Sequence, residues 1–240
     1  MKIIRLFGFL CFLWICSAQS NGVPNNINEP SIPVPRPDST GWTQRHAQFI
    51  ENTANNPDIP IIFYGDSITE RWHENGITVF ERFYEPLNVA NYGIGGDRTQ
   101  WLQWRIRNGE VQGLSPKLVV LKIGTNNVAR NVDSSAAKGI INVVGTLREL
   151  LPNTKILLLG LLPRTGADYF DRIVGINSRL RTLHDGQNIF YLDMFNQFRD
   201  NNAWGVVPAT LFSDGVHLTT GGYELWAEIM NPVLNKLIQE

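Results

Sequence analysis

The sequence predicts a three-layer α/β/α sandwich built on a five-stranded parallel sheet. Five short apolar runs recur along the chain, and amphipathic segments long enough for helices separate them. Strands that alternate with helices form a parallel sheet covered on both faces. Right-handed crossovers give such a sheet a flavodoxin-like strand order. With 240 residues and a hydrophobic content of 43%, the chain can bury one sizeable core.

The first residues have the pattern of a secretory leader rather than of a folded domain. Lys2 and Arg5 supply a positive start, residues 6–15 are almost entirely apolar, and small residues up to Ala18 offer a cleavage site. We therefore expect a signal peptide over residues 1–18 and a secreted mature protein. An uncleaved anchor is the alternative, although the apolar stretch is short for a membrane span. Both cysteines lie in this segment, so the mature protein should contain none.

A proline-rich stretch follows the predicted leader. Residues 19–40 contain four prolines between positions 30 and 37, a composition that favours extended backbone over a helix. We expect an arm or a linker here, and one domain over residues 41–240. The net charge of −1 and the lack of a basic run predict no nucleic-acid partner.

The predicted strands are short and apolar. They are expected at residues 61–64, 87–90, 117–123, 155–159 and 189–192. The first lies between Pro60 and Gly65, which mark its ends. The third is apolar on both faces, as a central strand of a parallel sheet should be.

Six helices are predicted around these strands. They are expected at residues 42–53, 79–84, 98–107, 134–151, 169–185 and 222–239. Thr40 is a candidate cap for the first, Gly109 ends the third, and Pro152 ends the fourth. Residues 194–218 are predicted to form a long loop before the last helix.

Four polar or glycine-rich stretches each follow a predicted strand. Ser67 comes after the first strand, Gly95 lies in a Gly-x-Gly-Gly turn after the second, and Asn126 follows the third. His217 lies in the long loop after the fifth strand. The carboxyl ends of parallel strands meet at one edge of the sheet, where open α/β sheets bind ligands. The sequence therefore predicts a functional site at that edge.

Each stretch also has an ordinary structural interpretation. Asp66 and Ser67 are good helix N-caps, and a single Asn such as Asn126 often only stabilises a turn. The turn at residues 93–96 could hold a phosphate, but it lacks the spacing of a nucleotide-binding loop. Glycines there can instead expose backbone N–H groups to a developing oxyanion.

A hydrolytic serine needs a base, and the chain has four histidines. His217 is favoured because Asp214 lies three residues earlier and could fix the tautomer of the imidazole. His73, close to the serine in sequence, is the competing candidate. Surface or packing roles are expected for the other two, His46 and His184.

Taken together, these residues resemble the SGNH or GDSL-type hydrolases. The blocks that match, in order, are Gly65-Asp66-Ser67, Gly95, Gly124-x-Asn126 and Asp214-x-x-His217. Agreement is best with the catalytic-subunit family of platelet-activating-factor acetylhydrolase Ib, and it extends over about residues 42–238. The resemblance implies the SGNH hydrolase fold for the predicted sandwich.

The resemblance also implies a role for each residue. Ser67 is the expected nucleophile, His217 the general base and acid, and Asp214 the residue that orients the imidazole. The oxyanion would be bound by the backbone N–H groups of Ser67 and Gly95 and by the side-chain amide of Asn126. No metal ion or organic cofactor is implied.

The same family closes its acyl pocket with three residues that here are Ile68, Thr125 and Val216. All three are β-branched and stiff at χ1, which favours short acyl groups. The resemblance further implies a homodimer. The best-known animal members act inside cells with a regulatory partner, and the predicted leader favours an exported enzyme without that partner.

These observations predict a secreted serine esterase that removes short acyl groups, acetyl above all. The substrate would be an O-acylated carbohydrate or phospholipid, and export favours the carbohydrate. One alternative is a long-chain lipase or thioesterase, which would need an extended apolar groove. A second is a secreted glycan-binding protein that keeps the fold without the activity.

Overall fold

The computed structural model describes residues 29–37, 39–130 and 133–239. The predicted leader and the first part of the predicted arm, residues 19–28, lie outside the described residues. Among the helices that are described, none is long and apolar enough to cross a membrane. The leader over residues 1–18 therefore stays a prediction.

Five parallel strands form one sheet in the order β2-β1-β3-β4-β5. The strands are β1 Ile61–Gly65, β2 Val89–Gly93, β3 Leu118–Lys122, β4 Lys155–Leu159 and β5 Ile189–Leu192. This confirms the predicted fold class and the flavodoxin-like order. The chain leaves β1 towards β2 on one side and later returns to add β3 on the other. Such a reversal of strand order opens a crevice beyond the carboxyl ends of β1 and β3.

Nine α-helices are present in the described ranges. They are α1 Thr40–Asn55, α2 Ser67–Glu70, α3 Ile77–Phe83, α4 Thr99–Arg105, α5 Thr125–Val128, α6 Asp133–Leu150, α7 Ala167–Arg181, α8 Phe195–Phe198 and α9 Thr220–Gln239. Short 3₁₀ turns cover Arg71–His73 and Glu85–Leu87, and a π-type turn covers Ile106–Glu110.

β2 lies two to three residues further along the chain than the predicted 87–90. The 3₁₀ turn ends at Leu87, and Asn88 closes it with a left-handed φ of 53° before the strand begins. The strand then continues through Asn91, which is buried. Its side-chain amide donates to the carbonyl of Thr69 and its oxygen accepts the N–H of Gly93. These two bonds offset the cost of burying a polar side chain, so the apolar pattern misses this part of the strand.

Three of the helices, α2, α5 and α8, are not predicted by the sequence. Each is one turn long, too short for a helical period to show, and each follows the carboxyl end of a strand. The prediction of an unbroken loop over residues 194–218 is therefore wrong at α8. The predicted helix over residues 169–185 ends early, at Arg181, because the Asp185 carboxylate accepts N–H groups of the turn that leads into β5.

Successive side chains of β1 face two separate cores, as the period of a strand requires. Ile62 and Tyr64 pack in a cluster formed with α1, α4, α6 and α7. Ile61 and Phe63 pack in a second cluster formed with α3 and α9. The sheet is therefore covered on both faces, and its loops at the carboxyl edge remain available for a site.

The described part of the predicted arm, residues 29–37, packs on the first of these layers. The carbonyl of Pro30 accepts the hydroxyl of Thr99 at 2.8 Å, and the N–H of Val34 donates to the carbonyl of Gln100 at 3.3 Å. Val34 is 4% exposed and belongs to the core cluster. The arm is thus fixed along α4 before α1 begins.

Candidate active site

A serine, a histidine and an aspartate lie in line at the carboxyl edge of the sheet. Ser67, the first residue of α2, places its Oγ 2.9 Å from Nε2 of His217. Nδ1 of the same ring lies 2.7 Å from Oδ2 of Asp214. The structure therefore brings together three residues that lie up to 150 positions apart in the chain.

Asp214 is held by its own loop as well as by the histidine. Its Oδ1 accepts the backbone N–H groups of Val216 at 3.0 Å and His217 at 2.8 Å. Partial burial raises the pKa of Asp214, but the bonds from the His217 ring and from the two N–H groups outweigh it and lower the pKa to about 2. The carboxylate is therefore ionised at neutral pH. It favours the tautomer with a proton on Nδ1, which leaves Nε2 free to accept a proton from Ser67.

The turn between the aspartate and the histidine requires a glycine. Gly215 has a φ of +80°, a conformation that other residues adopt at a cost. A Cβ at this position would also overlap Oγ1 of Thr165. The N–H of Thr165 donates to the Gly215 carbonyl at 2.9 Å, which ties the loop to the segment after β4.

The turn that carries Ser67 is equally crowded. The Asp66 carboxylate caps α2 by accepting the N–H of Ile68 at 3.0 Å, and it lies 3.6 Å from Nζ of Lys122. A Cβ on Gly65 would overlap the side chain of Thr69 and the carbonyl of Lys122. Ser67 itself lies in the first turn of α2, where no intrahelical carbonyl is available to its N–H.

The two other predicted oxyanion donors lie in the same region. A Cβ built on Gly95 would be 4.0 Å from Cβ of Ser67, so the two residues are neighbours. Asn126, in the first turn of α5, donates from Nδ2 to the carbonyl of Asp97 at 2.8 Å. That carbonyl belongs to the turn that contains Gly95. The arrangement can offer two backbone N–H groups and the second hydrogen of the amide to one oxygen atom.

The structure places the three predicted pocket residues close to these groups. Ile68 is buried, and its carbonyl accepts the Tyr223 hydroxyl at 2.7 Å. Thr125 is 7% exposed, and its Oγ1 is 2.7 Å from Nζ of Lys122. Val216 is partly buried against the same apolar cluster as Ile68. Their role in closing an acyl pocket stays a prediction.

The other histidines are engaged elsewhere. His73 packs against Phe80 with ring centroids 4.7 Å apart, and burial lowers its pKa. His46 is buried with Nδ1 2.8 Å from Glu110 Oε1, and His184 accepts the N–H of Tyr191. In the described part of the chain, no group of three or more His, Cys, Asp or Glu side chains is placed to hold a metal ion.

Comparison with known families matches this site to one of them. Residues 63–225 match the model of the GDSL-like lipase/acylhydrolase family, and the match covers more than half of the chain. The chain belongs to this family. It is a carboxylic ester hydrolase with the α/β fold described above.

The sequence is similar to curated relatives over most of its length. It is 30% identical over 220 residues to platelet-activating factor acetylhydrolase IB subunit alpha2 of Rattus norvegicus, covering 89% of this chain and 93% of the relative. It is 34% identical over 140 residues to the alpha1 subunit of the same species, covering 57% of this chain and 59% of the relative.

Solved structures share the fold at lower identity. A GDSL-like lipase from Bacteroides thetaiotaomicron has a TM-score of 0.67 and 21% identity, covering 80% of this chain and 97% of its own. An acetylxylan esterase from Geobacillus stearothermophilus has a TM-score of 0.57 and 18% identity, covering 74% of this chain and 93% of its own.

Two charged residues of this acylhydrolase lie beside the site and were not singled out by the sequence patterns. Burial lowers the pKa of Lys122, which Asp66 partly opposes. A Cβ on Gly95 would lie 2.7 Å from Oε2 of Glu70, and burial raises the pKa of this carboxyl. Two features of the sequence could have pointed to these residues. Lys122 is a charged residue at the end of an apolar strand, and Glu70 lies three residues after the serine.

Proposed function

We propose that this acylhydrolase removes short acyl groups, acetyl above all, from an O-acylated substrate through an acyl-enzyme on Ser67. The observation that carries this proposal is the line from Ser67 through His217 to Asp214, with distances of 2.9 and 2.7 Å. A serine in this setting becomes a nucleophile, because the imidazole can accept its proton as the new bond forms.

The reaction has two halves. Ser67 Oγ attacks the acyl carbon while His217 Nε2 takes its proton, and the imidazolium then protonates the alcohol oxygen as the ester C–O bond breaks. In the second half, His217 Nε2 takes a proton from a water molecule as that water attacks the acyl carbon, and the imidazolium then returns the proton to Ser67 Oγ as the bond between Oγ and the acyl carbon breaks and the carboxylic acid leaves. Asp214, ionised with a pKa of about 2, stabilises the imidazolium in both halves.

The tetrahedral intermediates carry a negative oxygen that needs hydrogen-bond donors. We assign this role to the N–H groups of Ser67 and Gly95 and to the amide of Asn126. One hydrogen of that amide is already held by the Asp97 carbonyl at 2.8 Å, which fixes the direction of the other. Donors fixed in advance stabilise the transition state more than the bound ester, so they act mainly on kcat.

The acyl group should be short. Ile68, Thr125 and Val216 are β-branched, and the hydrogen bond from Lys122 to Thr125 restrains one of them further. The curated relative with 30% identity is named an acetylhydrolase, which supports the same preference. The proposed leader over residues 1–18 favours a carbohydrate as the alcohol part, whereas the name of that relative favours a phospholipid.

Hydrolysis of p-nitrophenyl esters from acetate to octanoate tests the activity and the acyl length together. We expect kcat/KM to be highest for acetate and to fall steeply beyond propionate, and Ser67→Ala to abolish the reaction. An optimum at six carbons or more would favour the long-chain lipase. Folded wild-type protein without esterase activity would favour the glycan-binding alternative.

Acetylated oligosaccharides and acetylated phospholipids, assayed side by side for released acetate, distinguish the two alcohol classes. Mass spectrometry of exported protein should find an amino terminus at Gln19. An intact Met1 would indicate an anchor instead. Light scattering during gel filtration tests the homodimer implied by the family.

A further inference from the structure

The segment before the domain places one arginine on the predicted oxyanion turn. Arg36 donates from Nη1 to the carbonyl of Gly95 at 2.8 Å, 59 residues away in sequence. Its guanidinium also lies over the ring of Trp101, with Cζ 5.0 Å from the centroid. A Cβ on Gly96 would lie 3.2 Å from Nη2, so the side chain packs closely over both glycines. We define residues 93–97 as the oxyanion loop.

We propose that Arg36 is a positioning residue for the esterase reaction, and that it acts by holding the oxyanion loop in its catalytic conformation. The proposal rests on the proposed role of Gly95 as an oxyanion donor. Arg36 contacts the carbonyl of that residue and not the reacting atoms, so its effect must pass through the loop.

The loop needs such support because its backbone is unusually free. Gly95 and Gly96 are consecutive, and Gly96 has a φ of +76°. Glycine loses more conformational entropy on ordering than any other residue, so the peptide between the two is easily rotated. The bond from Arg36 fixes the oxygen of that peptide. The Gly95 N–H belongs to the preceding peptide, and with the Gly95–Gly96 peptide fixed, fewer backbone rotations remain that could turn this N–H away from the substrate.

The direction of the Gly95 N–H matters because a carboxylate lies close to it. The Glu70 carboxylate faces the backbone N–H of Gly95 and accepts from it. The same N–H must point at the substrate oxyanion during the reaction. The bond from Arg36 to the Gly95 carbonyl restrains this residue against turning further towards Glu70.

Arg36 is itself held in place by its surroundings. It lies between Pro35 and Pro37, which restrict the backbone to extended conformations. Two residues earlier, Val34 is anchored in the core and bonded to Gln100. The backbone around Arg36 is therefore already restricted, so little of its conformational entropy is lost when the guanidinium binds the Gly95 carbonyl.

Steady-state kinetics of full-length Arg36→Ala on p-nitrophenyl acetate test the proposal. We expect kcat to fall about tenfold to hundredfold with KM little changed, as for a small misplacement of a catalytic group. Added guanidinium ion should restore part of kcat, and Arg36→Lys should retain part of it. Arg82→Ala is the matched control, because Arg82 also stacks on an aromatic ring, Phe83 at 4.8 Å, but lies on α3.

Three results would overturn the proposal. The first is an unchanged kcat in folded Arg36→Ala. The second is a pure KM effect, which would make Arg36 a substrate-binding residue. The third is a lowered melting temperature that guanidinium restores without restoring kcat, which would make its role structural. Failure of the proposed function itself would appear separately, as activity retained by Ser67→Ala.

Discussion

The Ser67 hydroxyl is small and lies at the start of α2, so its removal should take away chemistry without opening the core. We expect Ser67→Ala to fold normally and to lose on the order of a thousandfold or more in kcat. Ser67→Ala combined with His217→Ala should be little worse than either change alone, because the residues act as a unit. Kinetics on p-nitrophenyl acetate and thermal melting measure both quantities.

His73→Ala serves as the control for this pair. Its ring packs on Phe80 rather than against the serine, so its loss should leave kcat near the wild-type value. Turnover abolished by His73→Ala but kept by His217→Ala would show that the base is misassigned.

Asp214 has two proposed functions, in catalysis and in holding its loop, that different substitutions can separate. Asn keeps an oxygen that accepts the N–H groups of Val216 and His217, whereas Ala keeps none. We expect Asp214→Asn to melt near the wild-type temperature but to lose activity, because it no longer stabilises the imidazolium. Asp214→Ala should lose both activity and stability. Equal stability of the two variants would contradict the capping role.

The lowered pKa of Asp214 gives this comparison a pH dependence. A folded-state pKa of about 2, below the ordinary value, means that the ionised carboxylate stabilises the fold above the ordinary Asp pKa. This contribution disappears as the pH falls towards about 2. The stability difference between wild type and Asp214→Ala should therefore shrink on acidification. A difference that stays constant from pH 7 into the acid range would contradict this assignment.

Replacing Val216 by Ala removes two methyl groups and tests whether this side chain closes the proposed acyl pocket. Each methylene of a longer ester gains only about 0.8 kcal/mol if it fits, whereas forcing it into a filled site costs about 1–3 kcal/mol. Overlap therefore outweighs transfer energy, and wild type should reject butyrate. We expect Val216→Ala to raise kcat/KM for butyrate relative to acetate. An unchanged ratio would remove Val216 from the pocket.

At the scale of secondary structure, glycines set how closely the elements approach. A Cβ on Gly93, at the end of β2, would overlap the backbone N of Glu70 and lie 2.8 Å from its Cα. Neither backbone atom can move without shifting α2, which begins at Ser67. We expect Gly93→Ala to cost about 3 kcal/mol of stability and to lower kcat, measured by denaturant unfolding and kinetics.

The same substitution elsewhere should have the opposite sign. Gly145 lies inside α6, and a Cβ there would meet no atom within 4 Å. Gly145→Ala should therefore stabilise the protein by up to about 1 kcal/mol, through better helix propensity. If both variants were destabilised alike, crowding at β2 would not be the cause.

The sequence predicts an element best when its apolar pattern alone sets where the element begins and ends. β4 and β5 match their predicted bounds, because each is an apolar run ended by a glycine or a turn residue. β2 is misplaced, because its buried Asn91 interrupts the pattern and is satisfied only by tertiary hydrogen bonds. The single-turn helices α2 and α5 are missed although they carry Ser67 and Asn126. Each follows a tight turn at a glycine, Gly65 or Gly124, and is too short for a helical period to show.

At the scale of the molecule, the proposed catalytic residues can be identified from the sequence, but most of the contacts that support them cannot. Ser67, Asp214 and His217 belong to short motifs, so their chemistry could be predicted before their geometry. Arg36 reaches Gly95 from the arm, and Lys122 reaches Thr125 from a strand. These contacts depend on the folded arrangement and leave no spacing that a motif could show.

A buried ion cluster is the largest of these supports. Arg105 is fully buried and donates from Nε to Asp97 at 2.9 Å and from Nη1 to Glu110 at 2.6 Å. It also donates to the carbonyl of Tyr92 at 3.1 Å. Asp97 ends the oxyanion loop, and its own carbonyl holds Asn126. The cluster therefore joins the core beneath α1 and α4 to two of the proposed oxyanion donors.

Removing the cation from this cluster should be costly, because two buried carboxylates would lose the guanidinium that they share, although His46 and Trp42 would still contact them. Breaking a buried pair in this way typically costs about 3–5 kcal/mol, so Arg105→Met should lower the melting temperature by about 10 °C. We also expect kcat to fall, since Asp97 would no longer hold the loop. Arg107→Ala is the control, because Arg107 pairs with Glu149 at the surface and should melt near wild type.

The pH dependence of Arg105→Met distinguishes lost charge pairing from lost packing. Burial raises the pKa of Asp97 to about 6, although Arg105 and Trp42 oppose this rise. Without Arg105 the pKa of Asp97 should rise further. A group whose pKa is raised in the folded state stabilises the fold at a pH below its unfolded pKa. This stabilisation is lost as the pH rises through the folded-state pKa. The melting temperature of Arg105→Met should therefore approach that of wild type as the pH is lowered from about 7.5 to about 5.5. A gap that stays constant over this range would mean that the variant suffers from a packing defect, and that the charges of Asp97 and Arg105 are not what holds the oxyanion loop.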